Sequence, residues 1–182
     1  MSKPTFTLRP ATAADSETLF NLILALAEYE KLAHLVEATP QKIEAALFGA
    51  KPHAEAVLVE VDADVDADVD ADVDADVDAR SGRKAVGFAL FFHNFSTFLA
   101  RPGLYLEDLY VDPAWRGHGL GKALLKHLAA LAVERGCGRF EWSVLDWNQP
   151  SIDFYQAMGA DVLPDWRICR VTGAALDKLG AK

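Results

Sequence analysis

The residues Arg116-Gly117-His118-Gly119-Leu120-Gly121 connect an apolar strand pattern to a periodic helix pattern, and they are the most informative feature of this sequence. Glycine lets the main chain come close to a ligand, so this turn leaves a row of backbone N–H groups uncovered. A helix start also carries roughly half a positive charge. A glycine-rich loop that only turns a corner is the alternative interpretation. The strand before it and the helix after it favour an anion site, most simply one for the pyrophosphate of a nucleotide-bearing cofactor.

The segments next to this turn alternate between strand and helix patterns. Residues 104–111 form an apolar run, and Asp112-Pro113 ends it. The helix after the turn has leucine at positions 120, 124, 128 and 131, which is a helical period. Residues 140–145 predict a further strand, and Asn148 is a typical cap for the short helix that follows.

The remaining segments complete a mixed sheet. A helix with one apolar face ends near Tyr29-Glu30, and Thr39-Pro40 predicts the start of a second helix. Further strands are predicted at residues 5–9, 56–61, 84–94, 160–163 and 166–171. This order predicts an α/β fold with one domain over residues 1–182. Its central twisted mixed sheet of six to seven strands is flanked by helices on both faces.

The net charge of −9 comes from one unusual tract. Nine aspartates lie between positions 62 and 78, and without them the 18 basic residues meet 18 acidic ones. The remaining chain is therefore close to neutral. It lacks the clustered basic face that binding to nucleic acid needs.

The tract repeats Val-Asp-Ala-Asp and forms an insertion at residues 61–80, between two predicted strands. Aspartate disfavours strands, and closely spaced like charges repel. A calcium site is the alternative, but the tract has neither the glycine nor the terminal glutamate of a calcium-binding loop. We expect a solvated extension of a hairpin, with only weak and unspecific ion binding.

The rest of the composition is that of a globular protein. The longest apolar run, residues 85–92 apart from Gly87, is far shorter than the roughly 20 residues that cross a membrane. The first residues contain no long apolar segment, so we expect no secretory signal. Cys137 and Cys169 have no paired spacing and predict two reduced, partly buried thiols, with a disulfide or a reactive cysteine as the alternative. We therefore expect a cytoplasmic protein that does not bind membranes.

Three segments of the chain form a recognisable combination: Tyr105-Leu106-Glu107-Asp108-Leu109-Tyr110-Val111, the glycine turn, and Asp146-Trp147-Asn148-Gln149-Pro150-Ser151-Ile152-Asp153-Phe154-Tyr155. They closely resemble the GCN5-related N-acetyltransferases (GNAT superfamily). Within that superfamily the chain is most similar to the diamine branch, the spermidine/spermine and thialysine acetyltransferases. The opening Leu8-Arg9-Pro10-Ala11-Thr12 and Ala27-Glu28-Tyr29-Glu30 also fit this branch. The resemblance covers nearly the whole chain outside the aspartate tract.

The resemblance implies an enzyme that transfers an acetyl group from acetyl-CoA to a primary amine, by direct attack in a ternary complex and without a metal. The acceptor would be a diamine, a polyamine or a lysine analogue. The family's pantetheine arm pairs with the strand almost as an added strand, whose N–H groups stabilise the oxyanion. A homodimer is also implied. The residues expected to hold the cofactor are Leu109, Tyr110, Val111, Arg116, Gly117, His118, Gly119, Leu120, Gly121, Lys122, Asn148, Ser151 and Tyr155.

Two residues are expected to move protons. An alkylamine has a pKa near ~10 and must lose a proton before it can attack. Adjacent residues of a strand point to opposite faces, so we expect one of Glu107 and Asp108 to face the site. We favour Glu107, which corresponds to the family's acidic site residue, over a plain solvent-facing glutamate. The resemblance assigns Tyr155 the role of proton donor to the departing thiolate; the alternative is an aromatic that only packs its helix.

The acceptor is expected to be a cation, because carboxylates and aromatic faces attract ammonium groups. One departure from the family concerns residues 160–165, which form a shorter loop than in the polyamine enzymes and lack their run of glutamates. This departure leaves lysine-like or smaller amines as candidates. The residues that the resemblance assigns to the acceptor are Tyr29, Glu30, Glu107, Glu141, Trp142 and Ser143.

Other chemistries find little support in the sequence. The five histidines form no metal-ligand spacing with cysteines or acids, so we expect no metal. The glycine turn lacks the Gly-Lys-Ser/Thr ending of an ATP-binding loop, and no Gly-x-Ser-x-Gly nucleophile motif occurs. Two alternative functions stay open: acetylation of a protein or peptide amino group, and binding of acyl-CoA without catalysis.

Overall fold

The computed structural model describes residues 4–62, 77–78 and 82–181. Most of the predicted insertion at residues 61–80 therefore lies outside the described residues. The chain forms two compact units, Met1–Ser143 and Val144–Lys182. The first unit contains β1 (Phe6–Pro10), α1 (Ser16–Tyr29), α2 (Pro40–Phe48), β2 (Glu55–Asp62), β3 (Val77–Asp78), β4 (Arg83–Ser96), β5 (Arg101–Val111), α3 (Leu120–Glu134) and β6 (Arg139–Trp142), and the second contains α4 (Gln149–Ala157) and α5 (Gly173–Gly180).

The sheet of the first unit is mixed, as predicted. Its strand order is β1-β2-β4-β5-β6, and the two-residue β3 pairs with β4 off this path. The pairs β1/β2, β2/β4 and β4/β5 are antiparallel, whereas β5/β6 is parallel. The strands on either side of the aspartate tract, β2 and β4, thus pair with each other.

The predicted number of six to seven strands is corrected to a path of five. Residues 160–163 and 166–171 of the second unit have no regular secondary structure, and all of them except the half-buried Ala160 are exposed. Pro164 lacks a backbone N–H, and Asp161 and Asp165 disfavour strands. The prediction of two strands was wrong because it relied on the apolar residues of these stretches. Conversely, α5 was not predicted at all.

Helices cover both faces of the sheet. Leu19 of α1 and Ile43 of α2 pack in one cluster with Leu58, Phe88 and Tyr110 of the sheet. Neighbouring residues on these strands point to the other face, where α3 contacts β2, β4, β5 and β6. This arrangement places the C-terminal half of β5 between α1 and α3.

A β-bulge at Glu107 changes the direction of the side chains along β5. Leu106 pairs with Phe91, whereas Asp108 pairs with the adjacent Leu90, so Glu107 is the extra residue. Leu90 packs against the α1 cluster. Because cross-strand partners share a face, Asp108 points toward α1 while Leu106 points toward α3. The strict alternation that we assumed for Glu107 and Asp108 therefore does not hold.

A buried ionic cluster fixes the start of α1 to the sheet. The guanidinium of Arg9 donates to Glu60 Oε1 at 2.8 Å and to both oxygens of Asp15, at 2.7 and 2.8 Å. Glu60 and Asp15 are only 4% and 8% exposed. Burial opposes the ionisation of Asp15, but the bonds from Arg9 and Thr12 hold its pKa below the ordinary value.

We expect Arg9→Met to lower the free energy of unfolding by about 3 kcal/mol, because it leaves two buried carboxylates without a cation. The stabilisation from Asp15 is present above its ordinary pKa and is lost as the pH falls through its lowered pKa, so the loss in Arg9→Met shrinks in acid. Urea titrations of the wild type and the variant at several pH values measure this loss of unfolding free energy. Arg135→Met is the matched control: its partner Glu55 is 47% exposed, so this variant should lose less than about 1 kcal/mol. Equal losses would contradict the prediction.

Candidate active site

The glycine turn leads directly into α3, as predicted. Gly119 is the residue before the helix and has φ +91°, and Gly117 has φ +80°. Both conformations suit glycine, and apart from the chain neighbours no atom of the described residues lies within 4 Å of where a Cβ would stand at either position. Among the described residues, no side chain caps this helix start. The open turn and its N–H groups fit a phosphate-bearing cofactor.

Asp112 and Trp115 hold the turn in place. Asp112 Oδ1 accepts a hydrogen bond from Ala114 N at 2.8 Å and so closes a short 3₁₀ turn after β5. Trp115 is 7% exposed and anchors that turn in the core. Arg116 to Gly119 are exposed. The local sequence thus presents the glycines to solvent from a fixed base.

Arg116 connects the turn to the end of α1, which the sequence did not predict. Its guanidinium lies 4.4 Å from the ring centroid of Tyr29 and 5.9 Å from that of Tyr110. Its Nε also donates to the carbonyl of Val111 at 2.9 Å. Arg116 therefore occupies a face of Tyr29, the aromatic ring that the resemblance assigns to the acceptor.

One edge of β5 has no strand partner among the described residues of the first unit. The parallel ladder with β6 ends at the pair Leu106 and Trp142, and residues 107–111 pair only with β4 among the described strands of this unit. The three predicted cofactor residues of this segment are Leu109, Tyr110 and Val111. Tyr110 packs its ring into the α1 cluster, so its contribution to the edge comes from the main chain. An extended ligand can add to this edge as a further strand would.

Asp108 and Glu30 line a pocket of about 180 Å³ between α1, the segment after it and β5. Every other lining residue is apolar, for example Leu26, Leu32 and Val36. Asp108 is half-buried, whereas Glu107 on the bulge is exposed. The pocket therefore offers two carboxylates at an apolar slot, which suits an alkylammonium group.

The pocket raises the pKa of both carboxyl groups. Burial, followed by the negative charges of Glu107 and Glu30, raises the pKa of Asp108 to about 6. Burial also raises the pKa of Glu30 above its ordinary value. A carboxylate whose pKa lies near neutrality can both accept and release a proton, which is what a general base requires. Sequence reasoning ranked Asp108 behind Glu107 because no local pattern reveals the bulge.

The predicted acceptor residues in and directly after β6 already contact other side chains. Glu141 accepts from Asn94 Nδ2 at 2.7 Å and forms an ion pair with Arg139 at 3.1 Å. Ser143 Oγ lies 2.9 Å from the hydroxyl of Tyr105. The ring of Trp142 lies 4.9 Å from that of Phe140. Because Glu141 already has a cation, it attracts an ammonium group less strongly than Glu30 or Asp108.

The second unit contains the remaining predicted residues. Asn148 is 6% exposed and caps α4, since its Oδ1 accepts from Ser151 N at 3.4 Å. Tyr155 lies on the same helix, with its ring 5.4 Å from that of Phe154. The predicted cap of α4 is thus confirmed. The catalytic role of Tyr155 and the cofactor roles of Asn148 and Ser151 stay predictions.

Two further properties concern the described residues only. They contain no group of three or more histidine, cysteine, aspartate or glutamate side chains placed to hold a metal ion. None of their helices combines the length and the apolar character needed to span a membrane.

Comparisons with known proteins agree with this fold and identify a family. A model of the Acetyltransferase (GNAT) family matches residues 43–160. The chain is 36% identical to the L-ornithine N5-acetyltransferase of Arabidopsis thaliana, over 94% of this chain and 86% of that protein. It is 33% identical to the thialysine N-epsilon-acetyltransferase of Bos taurus, over 96% of this chain and 97% of that protein.

A solved structure from V. cholerae, an integron cassette protein, has the same fold. It superposes with a TM-score of 0.72 at 22% identity, over 97% of this chain and 98% of that one. The resemblance to the diamine and thialysine branch, stated from the sequence motifs, is confirmed by the named relatives. The chain belongs to the acetyltransferase (GNAT) family and is an N-acetyltransferase.

Proposed function

We propose that the protein transfers the acetyl group of acetyl-CoA to a primary amine of a small cationic acceptor, by direct attack in a ternary complex. The observation that carries this proposal is Asp108, a half-buried carboxylate with a pKa of about 6 in an apolar pocket next to the uncovered edge of β5. Two of the relatives are named for acetylating ornithine and thialysine, and these substrates support an acceptor with an alkylamine chain.

The glycine turn and the edge of β5 would hold the cofactor. The N–H groups of residues 117–122 are proposed to bind the pyrophosphate, and His118, Gly121 and Lys122 belong to this segment. The main chain of residues 109–111 would pair with the pantetheine arm and stabilise the developing oxyanion. When bound, acetyl-CoA supplies an activated thioester. Asn148, Ser151 and Tyr155 are proposed as further contacts.

The two carboxylates of β5 would attract the alkylammonium and remove a proton from it. An alkylammonium in the pocket would lose one proton to Asp108, and its nitrogen would then form a bond to the acetyl carbon while the C–S bond breaks. The departing thiolate would take a proton from the hydroxyl of Tyr155. The second proton that the nitrogen must lose to become an amide would pass to solvent, and solvent would reprotonate Tyr155. Glu107 would attract the ammonium and, through its charge, raise the pKa of Asp108. The sequence motif instead assigned the base role to Glu107 itself. Replacing Asp108 and Glu107 separately tests which carboxylate is the base.

Two alternatives and three wider predictions accompany this proposal. A protein or peptide amino group is the alternative acceptor, and binding of acyl-CoA without turnover is the alternative function. We also propose that residues 1–182 act as one catalytic domain, as a homodimer and in the cytoplasm. Of these, the homodimer is supported by family resemblance alone.

An assay of thiol release with a set of amines tests the function. We expect release with at least one of 1,4-diaminobutane, spermidine, L-ornithine, L-lysine and thialysine, and none with peptides. Release with peptides alone would favour the alternative acceptor. Binding of acetyl-CoA without release would favour the non-catalytic alternative.

Calorimetry with acetyl-CoA tests the cofactor site separately. We expect Gly119→Ala to weaken binding at least about tenfold, because the added Cβ disfavours φ +91° and stands where the ligand approaches. Gly136→Ala is the matched control, since Gly136 also has a positive φ (+66°) and open space but follows α3. Equal affinities in both variants would contradict the site at the turn.

A further inference from the structure

Lys31 has an unusual backbone conformation at the end of α1. Its φ is +62°, in the left-handed region that glycine usually occupies. The conformation closes the helix, because Leu32 N donates to the carbonyl of Ala27 at 2.7 Å. Glycine would make this turn without strain. A strained lysine at such a position directs attention to its side chain.

Lys31 lies in the chain between two residues that line the apolar pocket. Its two chain neighbours, Glu30 and Leu32, both line the pocket, whereas Lys31 is exposed. The lining contains two acids and no cation. Among the described residues, no carboxylate forms an ion pair with the ammonium of Lys31. We infer that the flexible side chain of Lys31 can bring a positive charge to the rim of the pocket, directly after the acid Glu30.

These charges suit an α-amino acid whose side chain ends in an amine. The ω-ammonium and its methylene chain can enter the apolar slot toward Asp108. A carboxylate cannot follow, because Asp108 and Glu30 would repel it at close range. The α-ammonium can instead pair with Glu30 and the α-carboxylate with Lys31. A plain diamine has no group for Lys31, and a polyamine would bring a second cation against it.

We propose that Lys31 binds the carboxylate of the acceptor and thereby selects basic α-amino acids over diamines and polyamines. The inference rests on the proposed function, which concerns amines in general. It adds a specificity residue that neither the sequence motifs nor the family match assigns. Charge attraction is its physical basis, so the preference should weaken as salt is added.

Three substrates isolate the carboxylate. L-lysine carries it, L-lysine methyl ester masks it while keeping the α-ammonium, and 1,5-diaminopentane lacks it. We expect the wild-type kcat/KM to be highest for L-lysine. Lys31→Gln should lower that value about tenfold, which corresponds to about 1.4 kcal/mol, and should change the values for the other two substrates less than about twofold. Lys31→Arg should retain the preference.

Two further variants test whether the effect comes from the charge of Lys31, from its backbone strain, or from the loss of any surface lysine. Lys31→Gly removes the charge and also the strain, so it should lose the preference as Lys31→Gln does while folding at least as stably. Lys126→Gln, which removes an exposed lysine of α3, should leave all three values unchanged. An unaltered ratio of L-lysine to its ester in Lys31→Gln would overturn the inference alone. No thiol release from any of the three substrates in the wild type would overturn the proposed function for lysine-like amines, and the inference with it.

Discussion

Replacing Asp108 by Asn is expected to lower kcat/KM about 100- to 1000-fold at pH 8, because the amine loses its proton acceptor. In the wild type, activity should rise as the pH increases through about 6, since the pKa of Asp108 is raised to about 6 by burial and by neighbouring charges. The variant should lack this rise. Measurement of kcat/KM from pH 5 to 9 tests both statements.

The same substitution should stabilise the protein near neutral pH. The folded pKa of Asp108 lies above its ordinary value of 3.8, so the folded state binds more protons than the unfolded state between these values. Ionised Asp108 therefore destabilises the fold above pH 6, and this penalty is absent below pH 3.8. With about 1.4 kcal/mol for each pKa unit, Asp108→Asn should gain about 1–3 kcal/mol at pH 7.5. Equal urea midpoints of the two proteins would contradict a buried, ionised Asp108.

Glu107→Gln is the matched control. Its side chain is exposed, and its charge contributes to the raised pKa of Asp108. We expect Glu107→Gln to shift the acidic limb of the profile to lower pH and to leave most of the rate. If Glu107→Gln instead abolished activity and Asp108→Asn retained it, the base would be Glu107, as the sequence motif alone predicted.

Replacing Tyr155 by Phe is expected to lower the single-turnover rate about 100-fold and to change the affinity for acetyl-CoA less than about twofold. The phenol is proposed to donate a proton to the departing thiolate, and Phe keeps the ring but removes the donor. Rapid-quench measurements of acetyl transfer, together with calorimetry of acetyl-CoA binding, separate the two effects.

Phe154→Leu controls for packing on the same helix, since the rings of Phe154 and Tyr155 lie 5.4 Å apart. This variant should lower the melting temperature but keep the single-turnover rate within about threefold. An unchanged rate in Tyr155→Phe would remove Tyr155 from the mechanism. A parallel loss in both variants would indicate that the ring only packs α4.

The sequence correctly predicted those structural features whose interacting groups lie close together in the chain. Thr39 caps α2 by accepting from Lys42 N, and Asn148 caps α4 by accepting from Ser151 N. The glycine turn begins α3 because Gly119 adopts a positive φ that other residues disfavour. Each of these features depends on neighbours within a few positions, so a single sequence is sufficient to find it.

The same reasoning failed where pairing partners decide the structure. Residues 166–171 alternate like a strand but have no ladder in the second unit, because apolar alternation does not by itself provide a partner. The left-handed Lys31 is equally hidden in the sequence, since lysine carries none of the usual signals for a positive φ. Arg116 is a third case: its motif predicted a phosphate contact, while its stacking on Tyr29 depends on the approach of α1.

The strand, the glycine turn and the helix after it could be predicted from the sequence, because the backbone preferences of glycine and the helical period are local properties. Which of the two adjacent carboxylates, Glu107 or Asp108, lies in the apolar pocket depends instead on long-range strand pairing. The register between β4 and β5 places the extra residue at Glu107 and turns Asp108 toward α1. Glu30, distant in sequence, then shares the pocket and helps to raise the pKa of Asp108. Burial and charge at this site come from neighbours that only folding brings together.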